Sequence, residues 1–343
     1  MVSLLALLAT PAAAAPPDTA VVAALADRIL QCCDEPTGAI FLQPPAEARP
    51  GGLVPYFAHF GAYGLLRAYE VTAEPQYLRA ADRWIAWYAA HQRPDGTVTD
   101  YDLQDDGTLI PTGDMDSTDS YAAMYLWVVA ERRRVAPLPE GWLREHELSC
   151  YGALSAILLT MQDDGLTIAK PDYPTEYAMD NTEVIVGLRS AGLIFDALGN
   201  PGVAGHVRRL ADRAETELRT FYDAEHGHFA WYRDLAGERG FALEKWYPDV
   251  MAQVLLLMRI GRPEEPDRSV WARVVRDHLV REFDPARPAE HVWYGLAAQR
   301  VQDEEWGRKL VTPLNELTAE HIAAFDALRC SSVLEAITGG TRP

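Results

Sequence analysis

Residues 115–131 read MDSTDSYAAMYLWVVAE, and residues 179–195 read MDNTEVIVGLRSAGLIF. Each stretch opens with Met-Asp, continues through Ser or Asn, then Thr and an acid, and then becomes an apolar run. Apolar residues in both runs recur every three or four positions, which is the spacing of an α-helix. The two stretches therefore predict two helices that begin in the same way and are buried over most of their surface.

The acidic residues at these helix starts have a structural explanation. Asp116 and Asp180 are expected to be N-caps, and Asp119 and Glu183 follow at the spacing of a capping box. Asp114 adds a further carboxylate just before the first helix. Like charges at this density are unfavourable unless water, a cation or a sugar neutralises them, so a role in binding or catalysis is open as well.

The composition excludes several classes of partner. The chain has 343 residues, of which 48% are hydrophobic, and this is enough for a substantial core. The formal net charge is −19, whereas nucleic-acid binding requires clustered Lys and Arg. We therefore expect neither a nucleic-acid partner nor docking on an anionic membrane, and we expect the chain to act as a monomer.

The first residues resemble a secretory signal. Residues 1–17 combine an apolar stretch, too short to span a bilayer, with the small residues of a cleavage region. No positive charge precedes that stretch, and the alternative is the apolar N-terminus of a cytoplasmic protein. We expect export to the periplasm or the cell exterior, with no membrane insertion after processing. Residues 18–343 are expected to form one domain, because no linker interrupts them.

Most of the chain has helical periodicity. The candidate helices cover residues 19–32, 55–71, 75–92, 117–134, 141–161, 181–198, 202–222, 248–260, 268–281, 290–302 and 319–337. Two kinds of helix alternate: one is apolar nearly all round, and the other carries a charged face. This alternation predicts inner helices that are buried and outer helices that face solvent.

The helix pairs repeat at a period of about 50–65 residues, near or above the range of solenoid repeats. An open solenoid would need two atypical ends, whereas a closed ring of helical hairpins needs none. Two glycine-bearing segments, residues 95–114 and 223–249, are predicted as short hairpins or long loops that lead into apolar helices. Both segments would then border the same mouth of a ring.

Alternating inner and outer helices, Asp-led inner helices and aromatic loops together resemble the six-hairpin glycosidases, whose fold is the (α/α)6 barrel. Residues 178–213, AMDNTEVIVGLRSAGLIFDALGNPGVAGHVRRLADR, are also similar to a helix pair of the unsaturated glucuronyl and rhamnogalacturonyl hydrolases. The resemblance implies an all-α toroid with a catalytic aspartate at Asp180 and a second at Asp116 or Asp119. Residues 181–183 depart from the pattern, since an amide and an acid replace apolar residues there. Membership of the glucuronyl group would imply hydration of an unsaturated sugar.

The favoured function is a glycoside hydrolase that acts on an oligo- or polysaccharide without a cofactor or a metal. Such enzymes use two carboxyl groups, one that protonates the leaving oxygen and one that activates water or attacks carbon. The predicted catalytic residues are Asp116 and Asp180, followed by Asp249, Asp119 and Glu183. Asp249 is included because it follows Pro248 at the head of an apolar helix, with the aromatic residues Trp246 and Tyr247 just before.

Aromatic rings and further acids near these positions are predicted to bind sugar, because carbohydrate sites combine flat apolar faces with groups that bind hydroxyls. The predicted substrate-binding residues are Tyr121, Asp172, Glu176, Tyr177, Trp246, Tyr247 and Trp293. The structural alternative for these residues is that they plug the rim of the ring or belong to a solvated turn.

Two other functions remain open on the sequence. A sugar 2-epimerase on the same toroid would use paired histidines as acid and base, with His59 and His291 as the candidates. A non-catalytic carbohydrate-binding protein would keep the aromatic residues without a working acid pair. His226 and His228 have no third metal ligand at useful spacing, and no serine-hydrolase, nucleotide or dinucleotide motif occurs.

Overall fold

The structure is a computed structural model that describes residues 16–45 and 52–339. The predicted export signal lies outside the described residues except for its last two positions. Within the described part of the chain, no helix combines the length and the apolar character that crossing a membrane requires.

Helices dominate the described residues. They are α1 (Thr19–Gln31), α2 (Pro55–Thr72), α3 (Pro75–His91), α4 (Thr118–Val135), α5 (Trp142–Glu145), α6 (Glu147–Thr160), α7 (Ala178–Ala197), α8 (Pro201–Arg219), α9 (Met251–Ile260), α10 (Asp267–Val274), α11 (Val280–Glu282), α12 (Val292–Arg300), α13 (Glu304–Val311), α14 (Ala319–Ala323) and α15 (Ala327–Ile337). Single π-helical turns occur at Trp246–Val250 and Val275–Leu279, and 3-10 turns occur at Pro288–His291 and Thr312–Glu316.

Six helices form a closed ring. In order around the ring they are α2, α4, α7, α9, α12 and α15; each contacts the next, and α15 returns to contact α2. The first five of these are the helices that the sequence indicates to be apolar nearly all round, whereas α15 was not assigned to that kind. Helix α4 is buried continuously from Thr118 to Arg132. A closed ring buries the apolar surface of such helices, because each of their faces packs against another helix.

A second layer of helices surrounds the ring. Helix α1 packs on α2 and α15, α3 on α2 and α4, α6 on α4, α8 on α7, α10 on α9, and α13 on α12. Helix α8 illustrates the outer kind, since its buried residues Ala204, Val207, Ala211, Ala214 and Leu218 recur every three or four positions. The predicted all-α toroid of inner and outer helices is confirmed.

Short strands connect the helices near one end of the ring. Strands β1 (Tyr101–Leu103) and β2 (Leu109–Pro111) pair antiparallel, as do β4 (Tyr222–Asp223) and β5 (His228–Phe229). Strand β3 (Thr175–Tyr177) pairs with β6 (Tyr232–Asp234), which also pairs with β7 (Arg239–Gly240). The hairpins predicted in residues 95–114 and 223–249 are present, whereas strand β3 was not predicted.

The predicted capping boxes are wrong. Ser117, not Asp116, is the N-cap of α4, and its Oγ accepts from the backbone amide of Ser120 at 3.1 Å. Helix α7 begins earlier than predicted, because strand β3 leads directly into Ala178, and Asp180 therefore lies inside the first turn. Neither Asp116 nor Asp180 is used as a cap, so helix capping does not explain these two aspartates.

Several predicted helices are shorter or interrupted. Residues 141–161 form α5 and α6, and residues 268–281 continue into α11 through a π-helical turn. The long helix predicted over residues 319–337 is broken, because Asp326 caps α15 by accepting from the amide of Arg329 at 2.7 Å. Helix α13 was not predicted.

Candidate active site

The candidate site lies at the end of the ring where the inner helices α2, α4 and α7 begin. Tyr56 in the first turn of α2 stacks on Tyr121 in the first turn of α4, with ring centroids 6.1 Å apart. Tyr56 Oη also donates to Oε1 of Glu183 on α7 at 2.6 Å, so the three helix starts border one opening at this end of the ring. We refer to this opening as the mouth.

Asp180 has the surroundings of a general acid. Its side chain is partly exposed, and its carboxyl group makes no hydrogen bond with any described residue. Burial by the surrounding helices, followed by the charges of Asp119, Glu183 and Asp116, raises the pKa of Asp180 well above its usual range. A carboxyl group that keeps its proton and has free oxygens can protonate a leaving group.

Asp116 reaches the same mouth from the loop before α4. Its side chain is exposed, and the described residues offer its carboxylate no hydrogen-bond donor. Its backbone amide donates to Tyr121 Oη at 3.4 Å. The charge of Asp116 contributes to raising the pKa of both Asp180 and Tyr247.

Glu183 lies one helical turn deeper than Asp180. It is 2% exposed, and Tyr56 Oη donates to its Oε1 at 2.6 Å. Burial raises the pKa of Glu183 to about 7, against the lowering effects of Tyr56, Ser120 and Arg259. Its oxygens are held below the mouth, so Glu183 is suited to influence Asp180 rather than to touch a substrate.

Asp119 and Asp249 are tied into the structure. Asp119 is fully buried and accepts hydrogen bonds from Thr167 Oγ1 (2.6 Å), the Ser120 amide (2.8 Å) and Ser117 Oγ (2.9 Å). Burial raises the pKa of Asp119 to about 6. Asp249 is also buried, and it accepts from the backbone amides of residues 244 and 245 at 3.1 Å each, which stabilises the bend before α9.

Aromatic rings form one wall of the mouth. Tyr177 lies between Tyr173 and Trp231, with centroids 6.3 Å and 6.0 Å away and interplanar angles of 18° and 11°. Tyr247 is 63% exposed, and Asp116, Asp180 and Tyr173 act electrostatically on it. Nearly parallel, accessible rings beside free carboxyl groups are the combination that sugar rings bind.

The remaining predicted binding residues are in varied positions. Tyr121 is buried and donates to Asp100 Oδ1 at 2.9 Å. Glu176 is buried and pairs with Arg233 at 2.6 Å, which ties β3 to β6. Asp172 is exposed. Trp246 and Trp293 neighbour each other, with centroids 6.2 Å apart, and Trp293 Nε1 donates to Ser332 Oγ at 2.8 Å.

Three residues of the mouth were not among the predictions. Burial raises the pKa of Asp100 to about 6, with Asp116 and Asp114 adding to the effect. Asp100 and Trp231 belong to the two segments that were expected to border the mouth, so the sequence could have indicated them as site residues. Tyr56 follows Pro55 at a helix start, the same local pattern that singled out Asp249.

The two histidines of the epimerase hypothesis do not meet. His59 is fully buried between α2 and α3, where its Nδ1 accepts from Trp84 Nε1 at 3.1 Å, and burial lowers its pKa to about 3. His291 lies before α12, and its Nε2 accepts from the Asp284 amide at 3.0 Å. Among the described residues, no group of three or more His, Cys, Asp or Glu is arranged to hold a metal ion.

The fold of the ring resembles that of solved glycosidase structures. No protein-family model and no curated protein matches the chain. A structure described as a wild-type glycosidase is 14% identical with a TM-score of 0.63, and the match covers 93% of this chain and 96% of that one. A structure of the same description, a variant in complex with glucose, is 15% identical with a TM-score of 0.63, covering 93% of this chain and 96% of that one.

A rhamnosidase from Klebsiella oxytoca with rhamnose bound is similar over 94% of this chain, at 13% identity and a TM-score of 0.58, and the chain spans 65% of the length of that protein. An α-amylase from Clostridium perfringens is 10% identical with a TM-score of 0.57, covering 93% of this chain and 97% of that one. At these identities the likeness establishes the fold, and this fold is shared with glycosidases.

Proposed function

We propose that this chain is a glycoside hydrolase in which Asp180 is the general acid and Asp116 is the base or nucleophile. The carboxyl proton of Asp180 passes to the glycosidic oxygen as the bond from that oxygen to the anomeric carbon breaks. Asp116 either takes a proton from the water that attacks this carbon or attacks the carbon itself.

One observation carries the proposal. Of the five predicted catalytic carboxyl groups, those of Asp116 and Asp180 make no hydrogen bond with the described residues and have solvent access. The other three are buried and hydrogen-bonded. The neighbouring charge of Asp116 helps Asp180 to keep its proton, and such unequal pairs divide the roles of acid and base.

The charge of the mouth favours a neutral sugar as the substrate. The groups that raise the pKa of Asp180 include three carboxylates, Asp119, Glu183 and Asp116. Lys170, the cation that acts on Asp100 in this region, is paired with Asp114 at 3.1 Å. A uronic acid would bring its own carboxylate into this field, so the similarity to the glucuronyl hydrolases does not extend to our proposed substrate.

Single replacements of the two aspartates test the proposal. Asp180→Asn and Asp116→Asn should each lower kcat/KM by about 1000-fold, because each removes one proton-transferring or attacking group. The measurement is release of reducing sugar, or of nitrophenol from nitrophenyl glycosides, across a panel of neutral saccharides. NMR of the first product anomer then shows whether Asp116 attacks carbon or activates water.

Asp212→Asn is the matched control, since Asp212 is an exposed acid on the outer helix α8. It should keep wild-type turnover. Turnover by Asp180→Asn at the wild-type rate would remove Asp180 from the mechanism. Sugar binding by the wild-type protein without turnover of any panel member would instead favour the carbohydrate-binding alternative.

A further inference from the structure

Three aromatic rings form a row that leads to the start of α7. Tyr177 has Tyr173 on one side and Trp231 on the other, with ring centroids 6.3 Å and 6.0 Å away. Nearly parallel rings at such separations have the offset arrangement, in which no ring covers the whole face of its neighbour. Tyr173 is 48% exposed, and Tyr177 and Trp231 are partly exposed. These three residues, here called the aromatic row, therefore offer several apolar faces in succession.

The backbone joins the aromatic row to the candidate acid. Tyr177 is the N-cap residue of α7, and Asp180 lies in the first turn of that helix. The amide of Ala178, between these two residues, donates to the carbonyl oxygen of Trp231 at 3.0 Å. The backbone of both Tyr177 and Trp231 is therefore fixed to the helical turn that carries Asp180.

A cluster of ion pairs holds the sheet that carries the aromatic row. Strand β3, which ends at Tyr177, pairs with β6, and Arg233 of β6 pairs with Glu176 of β3 at 2.6 Å. Arg233 also pairs with Glu217 of outer helix α8 at 2.9 Å and with Asp164 in the loop after α6. One guanidinium therefore fixes the sheet to the outer layer. A row that is held before a ligand arrives loses less entropy on binding.

Gln253 of inner helix α9 holds the segment that leads to Trp231. It is fully buried; its Oε1 accepts from the amide of Phe229 at 3.0 Å, and its Nε2 donates to the carbonyl oxygen of Phe229 at 2.9 Å. Asn181 of α7 makes the same pair of bonds with Thr167, at 2.8 Å and 2.9 Å. A carboxamide that satisfies both polar groups of one backbone residue fixes the position of that residue. The segments before and after α7 are thus each held by an inner helix.

Gly240 leaves room for the ring of Trp231. The amide of Trp231 donates to the carbonyl oxygen of Gly240 at 2.9 Å. A Cβ built on Gly240 would lie 2.7 Å from Nε1 of Trp231 and 2.2 Å from Cε1 of Tyr232. The indole therefore packs directly on the backbone of β7, and a side chain at this position would displace it.

We propose that the aromatic row binds successive residues of a neutral oligosaccharide, and that Trp231 is a specificity-determining residue through which long chains are preferred to short ones. Gln253 is a positioning residue that acts through Trp231. The inference rests on the function proposed above for Asp180. A single sugar residue beside the acid covers Tyr177, whereas a longer chain also reaches the flanking rings and gains their apolar contact.

The chain-length preference is the ratio of kcat/KM for a hexasaccharide to kcat/KM for the disaccharide of the same sugar and linkage. The probes are the cello-, malto- and manno-oligosaccharides, which are neutral. The wild-type ratio should be at least about ten, and Trp231→Leu should lower the ratio about fivefold, because one stacking face is lost. A loss of kcat/KM that is equal for both lengths leaves the ratio unchanged and overturns the proposal.

Three variants keep the indole of Trp231 but change its support. Gly240→Ala places a methyl group where the indole lies, and Gln253→Leu releases the backbone of Phe229, so both should lower the ratio toward that of Trp231→Leu. Gln253→Glu can make both hydrogen bonds only when it is protonated, so its ratio should recover as the pH falls. The wild-type ratio in folded Gly240→Ala contradicts the role of Trp231. A Gln253→Glu ratio that does not depend on pH contradicts the role of Gln253.

Two variants are matched controls. Tyr69→Leu removes a partly exposed ring from the last turn of α2, at the opposite end of that helix from Tyr56. Asn200→Ala removes a carboxamide that caps α8 and lies beyond the last residue of α7, opposite the turn that carries Asp180. Both should lower stability and leave the ratio unchanged. A change as large as that of Trp231→Leu would assign the preference to general loosening and overturn the proposal.

Binding without turnover separates this inference from the proposed function. The disaccharides and hexasaccharides are titrated by calorimetry into Asp180→Asn, and into the same variant carrying Trp231→Leu. The hexasaccharide should bind Asp180→Asn at least about tenfold more tightly than the disaccharide, and the double variant should lose most of this difference. Equal binding of both lengths, or no binding of any probe, overturns the aromatic row. A preference that depends on Trp231, in a wild-type protein that hydrolyses no saccharide, refutes the proposed function alone.

Discussion

Asp119 and Asp180 lie close to the same mouth but have opposite surroundings. Asp119 is fully buried and accepts three hydrogen bonds: two from residues at the start of α4, and one from Thr167 that joins α4 to a distant loop. Asp180 is partly exposed and accepts none from the described residues. The first arrangement stabilises the fold, and the second leaves a carboxyl group free for a ligand. The hydrogen-bond partners, and not the residue type, therefore distinguish the roles of these two aspartates.

The two aspartates should therefore respond differently to replacement by asparagine. Asp119→Asn turns an amide NH2 toward hydrogen-bond donors, so we expect it to lower the free energy of unfolding by about 1–3 kcal/mol. Urea unfolding measures the change. Asp180→Asn removes a group whose raised pKa costs stability near neutral pH, so it should leave the free energy of unfolding unchanged or raise it. Turnover per folded molecule, taken at the pH optimum of each variant, should survive in Asp119→Asn; a loss as large as that of Asp180→Asn would make Asp119 catalytic.

At the scale of elements, the inner helices approach each other closely enough to require glycine. A Cβ built on Gly187 of α7 would lie 2.6 Å from the Cα of Ala123 on α4. Neither backbone can give way locally, because both helices are buried in the ring. The α4–α7 contact also carries Asp119 and Glu183, so the spacing of these two helices fixes the acids below the mouth.

Gly187→Ala should consequently destabilise the protein, although alanine favours helices. We expect a loss of about 1–3 kcal/mol from overpacking, measured as a lower midpoint of urea unfolding. Gly205→Ala on outer helix α8 is the control, since the nearest atom to its Cβ would be Arg209 Nη1 at 3.5 Å. That replacement should be neutral or stabilising by up to about 1 kcal/mol. Equal effects of the two replacements would contradict the close approach of α4 and α7.

At the scale of the whole molecule, the ring gathers acids whose pKa is raised. Burial raises the pKa of Asp100 and Asp119 to about 6 and that of Glu183 to about 7. Between about pH 4 and pH 7 the folded protein holds protons that the unfolded chain has released. The stability from these groups is complete below about pH 4 and is lost as the pH rises to about 7. Ion-paired acids such as Glu70 and Glu215 have a lowered pKa, and their contribution is lost in more acidic solution.

The melting temperature should accordingly be higher at pH 5 than at pH 8. Repulsion within a chain of formal net charge −19 acts in the same direction, because the charge grows as acids ionise. Differential scanning calorimetry at constant ionic strength measures the effect. Glu183→Gln removes one of the groups with a raised pKa and should reduce the difference between the two pH values. A wild-type melting temperature that is higher at pH 8 would contradict the assignment of raised pKa values.

The sequence by itself determined the class of fold, and it predicted which end of the ring holds the candidate site. Periodicity is local, so buried and amphipathic helices can be told apart from a few turns each, and their alternation is enough to predict a toroid. Acids and aromatic residues at the starts of apolar helices likewise indicated which end of the ring to examine. The contacts from Asp116 to Tyr121, from Tyr121 to Tyr56 and from Tyr56 to Glu183 join α2, α4 and α7 there.

Only the tertiary structure decided which groups are free and which are occupied. The partner of Asp119 is Thr167, that of Glu176 is Arg233, and Arg259 meets Glu335 across the ring; each pairing joins residues far apart in the chain. Helix α7 also begins earlier than the sequence predicts, because strand β3 pairs with a strand more than fifty residues later and leads directly into the helix. Burial and hydrogen bonding depend on such distant partners, and they set both the pKa and the accessibility of Asp119 and Glu183.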